Sequence, residues 1–423
     1  MNRREALILG IAFLIFLEVR LPQTANYPYY RDDFYSFQRA QEVRQDLSRS
    51  LAPVGPFSRR FPLFHLLLAL ETFLFGFGPT PYFIFLFLFH FLNSILVLRL
   101  ARSLGARENA CLISAVFFLI TSASYQNLIF IFNTQRVFCH FLLLLATLSW
   151  ITFLRSLKSA AFGIALTLHF SAILFMEDAY GFPFLAFFLV LRLLPPGKRR
   201  NEILIRWLPW FFLLDLLQAP FLLQNFFSSP FRSEKLAFSH PVIPKFLSLL
   251  KMLFQPLGVP EKGVFPSTAL PESLLRLVPA LLIGACFGLF FKGRQYRSLL
   301  SKISKPLFFT ALGWIVISIL PFLFQPLTFE HASRYLYWPL MGFSFILGEL
   351  GAAGNEVARQ VSPRLGRKFW LAVFVYVGGL NLLTTAHHYQ RYVRYVQAVK
   401  SEGYFDRVKA LFERVEVSSQ VGP

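Results

Sequence analysis

Acidic residues are scarce in this sequence. Asp and Glu number 22 in 423 residues against 42 Lys and Arg, and charged residues of both signs make up only 15% of the chain. A chain so poor in charge does not stay disordered in water. Cysteine is rarer still. Cys111, Cys139 and Cys286 each lie in or beside an apolar run, and none has a ligand-spaced neighbour, which argues against a disulfide framework or a zinc site. No glycine-rich phosphate loop is visible, so nothing points to a soluble nucleotide donor. No solenoid-type repeat is visible either.

Apolar surface, by contrast, is plentiful. Hydrophobic residues make up 55% of the chain, Phe alone occurs 53 times, and the mean hydropathy is +0.53. A soluble fold buries only about three quarters of its unfolded surface and could not hide this much. The composition therefore predicts an all-α, polytopic helical membrane protein. The net charge of +20 would suggest nucleic acid in a soluble protein. Here it fits basic loops facing anionic lipid, and no nucleic-acid partner is expected.

Spans need roughly 20 apolar residues. About eleven candidates are present, near 5–20, 81–100, 109–124, 137–154, 159–176, 180–194, 205–224, 274–291, 306–325, 335–352 and 369–386. Segment 61–77 is also apolar, but it carries His65 and Glu71 and ends at Gly76–Pro79, so it reads as a re-entrant or interfacial helix. The first run follows Met-Asn-Arg-Arg and precedes no small-x-small cleavage site, so it reads as an uncleaved first span. With the N-terminus in the cytoplasm, the short inner loops collect Arg99/Arg102/Arg107, Arg155/Lys158, Lys198/Arg199/Arg200/Arg206, Lys292 to Lys305, and Arg359 to Lys368. Short, dense basic loops are the ones that set orientation. Residues 1–386 then form one transmembrane domain with long outer loops near 21–80 and 225–273. Residues 387–423 follow as a short helical tail on the outer side.

Several polar residues fall on that outer side. Asp32 and Asp33 precede a polar helix. They read either as a helix cap or as a carboxylate pair in which one acid acts as general base. Arg59 and Arg60 read as snorkelling cations or as a phosphate clamp. Glu177-Asp178 forms a turn between spans, and Arg334-Tyr335-Leu336-Tyr337 opens a span from outside. His90 with Asn93, Gln126 with Asn127, and Asn133 to Arg136 read as supporting hydrogen-bond partners between helices. His140, His169, His387 and His388 have no carboxylate at metal spacing and read as structural. Acids suited to base catalysis and arginines suited to phosphate, gathered on one face, fit a reaction on a phosphorylated lipid.

The order of these motifs resembles a family. Asp-Asp-Phe follows span one. Arg60-Phe-Pro-Leu63 precedes Phe75-Gly-Phe-Gly-Pro79, and His90-Phe-Leu-Asn93 lies in the next span. Glu177 has Pro183 six residues on, and Arg334-Tyr-Leu-Tyr337 precedes Gly342. Over residues 1–386 this is similar to the GT-C class of membrane glycosyltransferases, near protein O-mannosyltransferases and bacterial lipid-linked-sugar transferases. Met176 departs from the pattern, standing where many relatives have Lys.

The resemblance implies a polyprenyl-phosphate-linked sugar donor and catalysis on the extracytoplasmic face, in a bacterial plasma membrane by default. It implies Asp32 and Asp33 as the catalytic acids. Arg334, Arg59 and Arg60 would face the donor phosphate. Glu177, Asp178, Tyr335, Tyr337, His90 and Asn93 would line or support the cavity. The acceptor would be a hydroxyl of a protein, glycan or lipid. A divalent cation, Mg or Mn, could bridge an acid and the phosphate, though no ligand set in the sequence demands one. Two alternatives remain at this point: a transporter or flippase for a lipid-linked saccharide, and a non-catalytic assembly partner of the same fold.

Overall fold

The computed structural model describes residues 1–24, 31–51, 61–76, 78–123, 126–217, 246–247, 249–250, 252–253, 299, 301–323, 335–361 and 363–400. Every regular element among them is helical, as the composition predicts. Helix α1 (Arg3–Thr24) opens with a reciprocal cap: Glu5 N–H donates to Asn2 Oδ1 and Asn2 N–H to Glu5 Oε2, both at 2.9 Å. Helix α2 (Arg31–Gln45) is the polar one. It buries Phe37, Ala40 and Val43 at a three-residue spacing and turns Gln38 and Arg44 to the outside.

A 3₁₀ turn, Leu47–Leu51, follows, and α2 lies on the apolar helix α3 (Pro62–Phe75). Two contacts pin this unit. Arg39 donates to Glu42 and to the Arg49 carbonyl, each at 2.7 Å, and His65 Nδ1 is 3.0 Å from the Ser50 carbonyl.

The main bundle follows: α4 (Pro79–Ser103), α5 (Glu108–Ile120), a short turn α6 (Gln126–Ile129), α7 (Thr134–Ser156), α8 (Ser159–Ile173) and α9 (Phe182–Leu193). Next come α10 (Lys198–Glu202), a π turn at Ile203–Trp207 and further helix to 217. The described chain resumes in α11 (Lys305–Leu323), α12 (Tyr337–Val361) and α13 (Pro363–Lys400). Helix α13 therefore runs without a break from the last candidate span into the tail segment. Helices lie at every candidate span except 274–291, which falls outside the described residues, as does most of the expected loop 225–273. Segment 61–77 is helical as α3.

Close packing organises the bundle. Helix α12 sits between α5 and α11 through glycines. A Cβ at Gly348 would lie 2.4 Å from the Ala110 carbonyl and 2.0 Å from Ser114 Oγ, and one at Gly342 would lie 2.6 Å from the Ala311 carbonyl. Small residues let helix backbones meet where apolar burial alone does not hold them together. The many phenylalanines fill the space elsewhere. Trp150, Phe162 and Phe211 meet with ring centroids 5.2–6.3 Å apart, two of the three pairs being edge-on.

The bundle has two polar ends. One gathers the start of α1, the end of α4 and the residues before α5. There Glu5 pairs with Arg102, Arg107 pairs with the buried Glu349 and with Glu356, and Lys302 pairs with Glu356. Arg155 and Arg199 cap helix carbonyls at the same end. The other end gathers the start of α7, the turn before α9 and the start of α12.

Between the ends, outward faces are apolar. Leu7, Ile11, Leu14 and Ile15 form an exposed stripe on α1, and Leu66, Leu70, Phe73 and Leu74 form one on α3. Both follow helical spacing. Among the described residues two helices, Pro79–Ser103 and Thr134–Ser156, are long and apolar enough to cross a membrane. Pro62–Phe75, Glu108–Ile120, Ser159–Ile173 and Lys305–Ile319 are apolar but shorter.

Candidate functional site

Three elements converge at the second polar end. The 3₁₀ turn Glu177–Gly181 joins α8 to α9 and brings Asp178 inward, where its side chain is 2% exposed. Arg136, at the third position of α7, is as deeply buried and places Nη1 3.4 Å from Asp178 Oδ2. The two side chains form an ion pair inside the bundle, both withdrawn from solvent. Tyr335 closes it from another element, its ring lying 4.8 Å from the Arg136 guanidinium.

His140 lies one turn after Arg136. Its Nδ1 is 2.7 Å from the Arg136 carbonyl, and its Nε2 is 3.5 Å from Asp178 Oδ2, too long for a good hydrogen bond. The ring packs against Tyr337 and Trp338 at 5.0 and 5.3 Å.

A second polar chain lies behind this one. His90 Nε2 is 3.0 Å from the Leu119 carbonyl, which can only accept, so Nε2 carries the proton. Nδ1 is then an acceptor, and the Tyr337 hydroxyl donates to it at 2.7 Å. Asn93 Nδ2 donates to the Tyr337 oxygen at 3.0 Å and to the Val137 carbonyl at 2.9 Å. The chain Asn93–Tyr337–His90–Leu119 ties α4, α5, α7 and α12 together. It commits both His90 nitrogens, so His90 has no lone pair left for catalysis. Asp178, neutralised by Arg136, is equally poor as a base. Glu177 is half-buried beside them and within the field of Arg136.

The structure thus brings together Glu177, Asp178, Tyr335, Tyr337, His90 and Asn93. Asp32 and Asp33 lie in the first turn of α2, with side chains outside the described residues. That helix packs on the turn Ile131–Asn133, which leads directly into α7 and Arg136. Arg59, Arg60 and Arg334 also fall outside the described residues.

Arg136 and His140 carry more weight than the sequence reading gives them. The available signal is an Arg at the head of an apolar helix on the same expected face as Asp178. His169, read as structural, lies with Nε2 3.0 Å from Asp215 Oδ1, a pairing hidden by 46 residues of separation. Among the described residues no group of three His, Cys, Asp or Glu side chains is placed to hold a metal ion, so a divalent cation has no described ligand set.

No known protein family and no curated protein matches the sequence. Solved structures do match the fold. Archaeal oligosaccharyltransferase AglB from Archaeoglobus fulgidus, in complex with an inhibitory peptide and a dolichol-phosphate, matches with a TM-score of 0.51 at 14% identity, over 92% of this chain and 56% of that one. The Archaeoglobus fulgidus oligosaccharyltransferase tethered to an acceptor peptide containing the NVT sequon matches with a TM-score of 0.55 at 15% identity, over 92% and 55%. Its apo form gives 0.54 at 14% identity, over 91% and 56%. The chain spans just over half the length of these proteins. The likeness is one of fold, a GT-C fold, and at this identity it does not extend to the sugar or the acceptor. It favours neither protein O-mannosyltransferases nor a bacterial source.

Proposed function

We propose that the chain is an integral membrane glycosyltransferase that moves a sugar or glycan from a lipid-phosphate carrier to an acceptor hydroxyl or amide. The observation that carries this reading is the coincidence of a GT-C fold with a buried, charged cluster at one end of the bundle. The apolar stripes on α1 and α3 supply the membrane. In water they would be costly at about 25 cal/mol per Å². In lipid they cost nothing. An eleven-span arrangement with the N-terminus in the cytoplasm sets the basic end of the bundle inside and the Arg136–Asp178 end outside.

The lipid-phosphate donor is supported by the AglB structure that holds a dolichol-phosphate, and a peptide acceptor by the peptides in the same group of structures. In this mechanism an Asp of the Asp32/Asp33 pair takes the acceptor's proton as it attacks the anomeric carbon. The leaving oxygen is that of the lipid phosphate, and Arg334, Arg59 and Arg60 meet its growing negative charge. A single displacement inverts the anomeric centre. Arg136 and Asp178 hold the turn that presents Glu177, and the His90–Tyr337–Asn93 chain fixes the helices behind it. In a bacterium the site would face away from the cytoplasm at the plasma membrane.

The test is turnover in lipid nanodiscs with Asp32→Asn, Asp33→Asn and the double variant. At least one single variant should lose about 100-fold or more in rate while remaining folded, the range that general-base removal gives. Full activity in the double variant would sink the assignment. Lipid translocation without sugar transfer would replace it with a flippase.

A further inference from the structure

Arg20 is a buried arginine that the site described above does not use. It is 3% exposed, near the end of α1. One turn further on, Thr24 Oγ1 meets Thr80 Oγ1 at the head of α4, which places Arg20 toward the same end of the bundle as Arg136. Its guanidinium lies 5.5 Å from the Phe16 ring centroid, and the Phe16 ring in turn lies 5.7 Å from that of His90. Arg20 is thus one aromatic layer from the Asn93–Tyr337–His90 chain.

A guanidinium has five N–H donors and needs acceptors when buried. Arg20 has no hydrogen bond and no ion pair among the described residues, and its Nε is buried without a partner. Helix α13 packs on α1 and carries Arg391 and Arg394. Helices α4 and α13 contain no Asp or Glu. On α1, Glu5 is paired with Arg102 at the opposite end and Glu18 is exposed. Helix α13 is fixed in place, because Asn381 Oδ1 accepts from the Ser122 N–H at 2.7 Å and from Ser122 Oγ at 3.1 Å. The arrangement is a buried, unpartnered fork of donors beside a helix that carries arginines and no acids.

We infer that Arg20, with the basic stretch of α13 beside it, binds the phosphate group of a lipid. A phosphate diester or monoester matches a guanidinium fork in two parallel hydrogen bonds, and lipid tails can lie along the apolar flank of α1. The inference deepens the reading above by giving the lipid-phosphate carrier a binding residue besides Arg334, Arg59 and Arg60, and it rests on that reading only for the choice of lipid.

The test uses the full chain in dodecyl maltoside, a detergent without phosphate, with decaprenyl phosphate as probe and decaprenol, phosphatidylglycerol and inorganic phosphate as comparisons. Wild type should bind decaprenyl phosphate and not decaprenol. Arg20→Gln should bind about 10-fold or more weakly, the loss of a charge-assisted hydrogen-bond pair, and Arg20→Lys should fall between. Without lipid, Arg20→Gln should melt no lower than wild type, because it removes an uncompensated buried charge.

Equal binding by Arg20→Gln and wild type would overturn the inference and leave the transferase reading untouched. A lower melting temperature for lipid-free Arg20→Gln would also overturn it, since the arginine would then be serving a carboxylate of the chain. Arg20-dependent binding of phosphatidylglycerol with no binding of decaprenyl phosphate would keep the phosphate site and remove the proposed carrier. Full displacement by inorganic phosphate at equal concentration would assign the site to free phosphate and overturn the lipid.

Discussion

Replacing Asp178 by Asn removes one charge and changes little else in shape. Arg136 would then lose the carboxylate 3.4 Å away, and breaking one side of a buried pair costs about 3–5 kcal/mol. Two features place this case at the low end. The Arg136–Asp178 separation of 3.4 Å is long for a charge-assisted bond, and a second acid, Glu177, adjoins Asp178 on the same turn. About 3 kcal/mol is expected. Arg136→Met should cost a similar amount, since it takes the guanidinium away from the buried Asp178 carboxylate. The double variant should cost clearly less than the sum, because neither charge is left behind. Thermal and SDS-induced unfolding in one detergent would measure the cycle. Additivity within about 0.5 kcal/mol would refute a coupled buried pair.

Other predictions rest on different parts of the bundle. Gly348→Ala should destabilise the α5–α12 contact by about 1–3 kcal/mol or prevent folding, since the new Cβ meets the Ala110 backbone carbonyl, which cannot swing away; a neutral effect on unfolding would contradict the packing. Tyr337→Phe strands His90 Nδ1 and one Asn93 donor, so a loss of about 2–4 kcal/mol is expected in the same assay. Glu356, hydrogen-bonded to Lys302 and lying near Arg107, has its pKa held below the usual carboxylate value. A depressed folded pKa gives stability above the unfolded pKa that is lost as pH falls through the folded one. Glu356→Gln should therefore cost about 0.5–1 kcal/mol at neutral pH, a partly screened pair. That gap should close below about pH 4; a gap independent of pH would contradict the ion pair.

Much of the architecture is legible because apolar runs announce helices directly. Their exact ends are not, since the capping interactions come from residues such as Asn2 and Glu5 that carry no strong pattern. The polar cluster is only half legible. Glu177-Asp178 stands out because adjacent acids are rare in a chain with 22 Asp and Glu, and Tyr335 to Tyr337 because it follows an arginine at the opening of a span. Arg136 does not stand out, because an arginine at a helix end is ordinarily a snorkelling cation. Only the fold, by bringing α7 under the 177–181 turn, turns it into a buried ion. The His169–Asp215 contact is invisible for the same reason: two single polar residues on separate apolar helices have no joint signature until the helices pack. Arg20 shows the converse case, where the sequence offers a plain span-end arginine and packing leaves it without a bonding partner among the described residues.

The central claim is sugar transfer from a lipid phosphate, and one measurement addresses it most directly. Purified wild-type protein in nanodiscs would be given a panel of polyprenyl-phosphate sugars with a pooled hydroxyl- and amide-bearing acceptor set, and released polyprenyl phosphate would be quantified beside the Asp32→Asn/Asp33→Asn double variant. The account predicts release by wild type from at least one donor, matched by sugar on an acceptor, with the double variant near background. Binding of those donors by wild type, with neither phosphate release nor acceptor labelling across the panel, would contradict it.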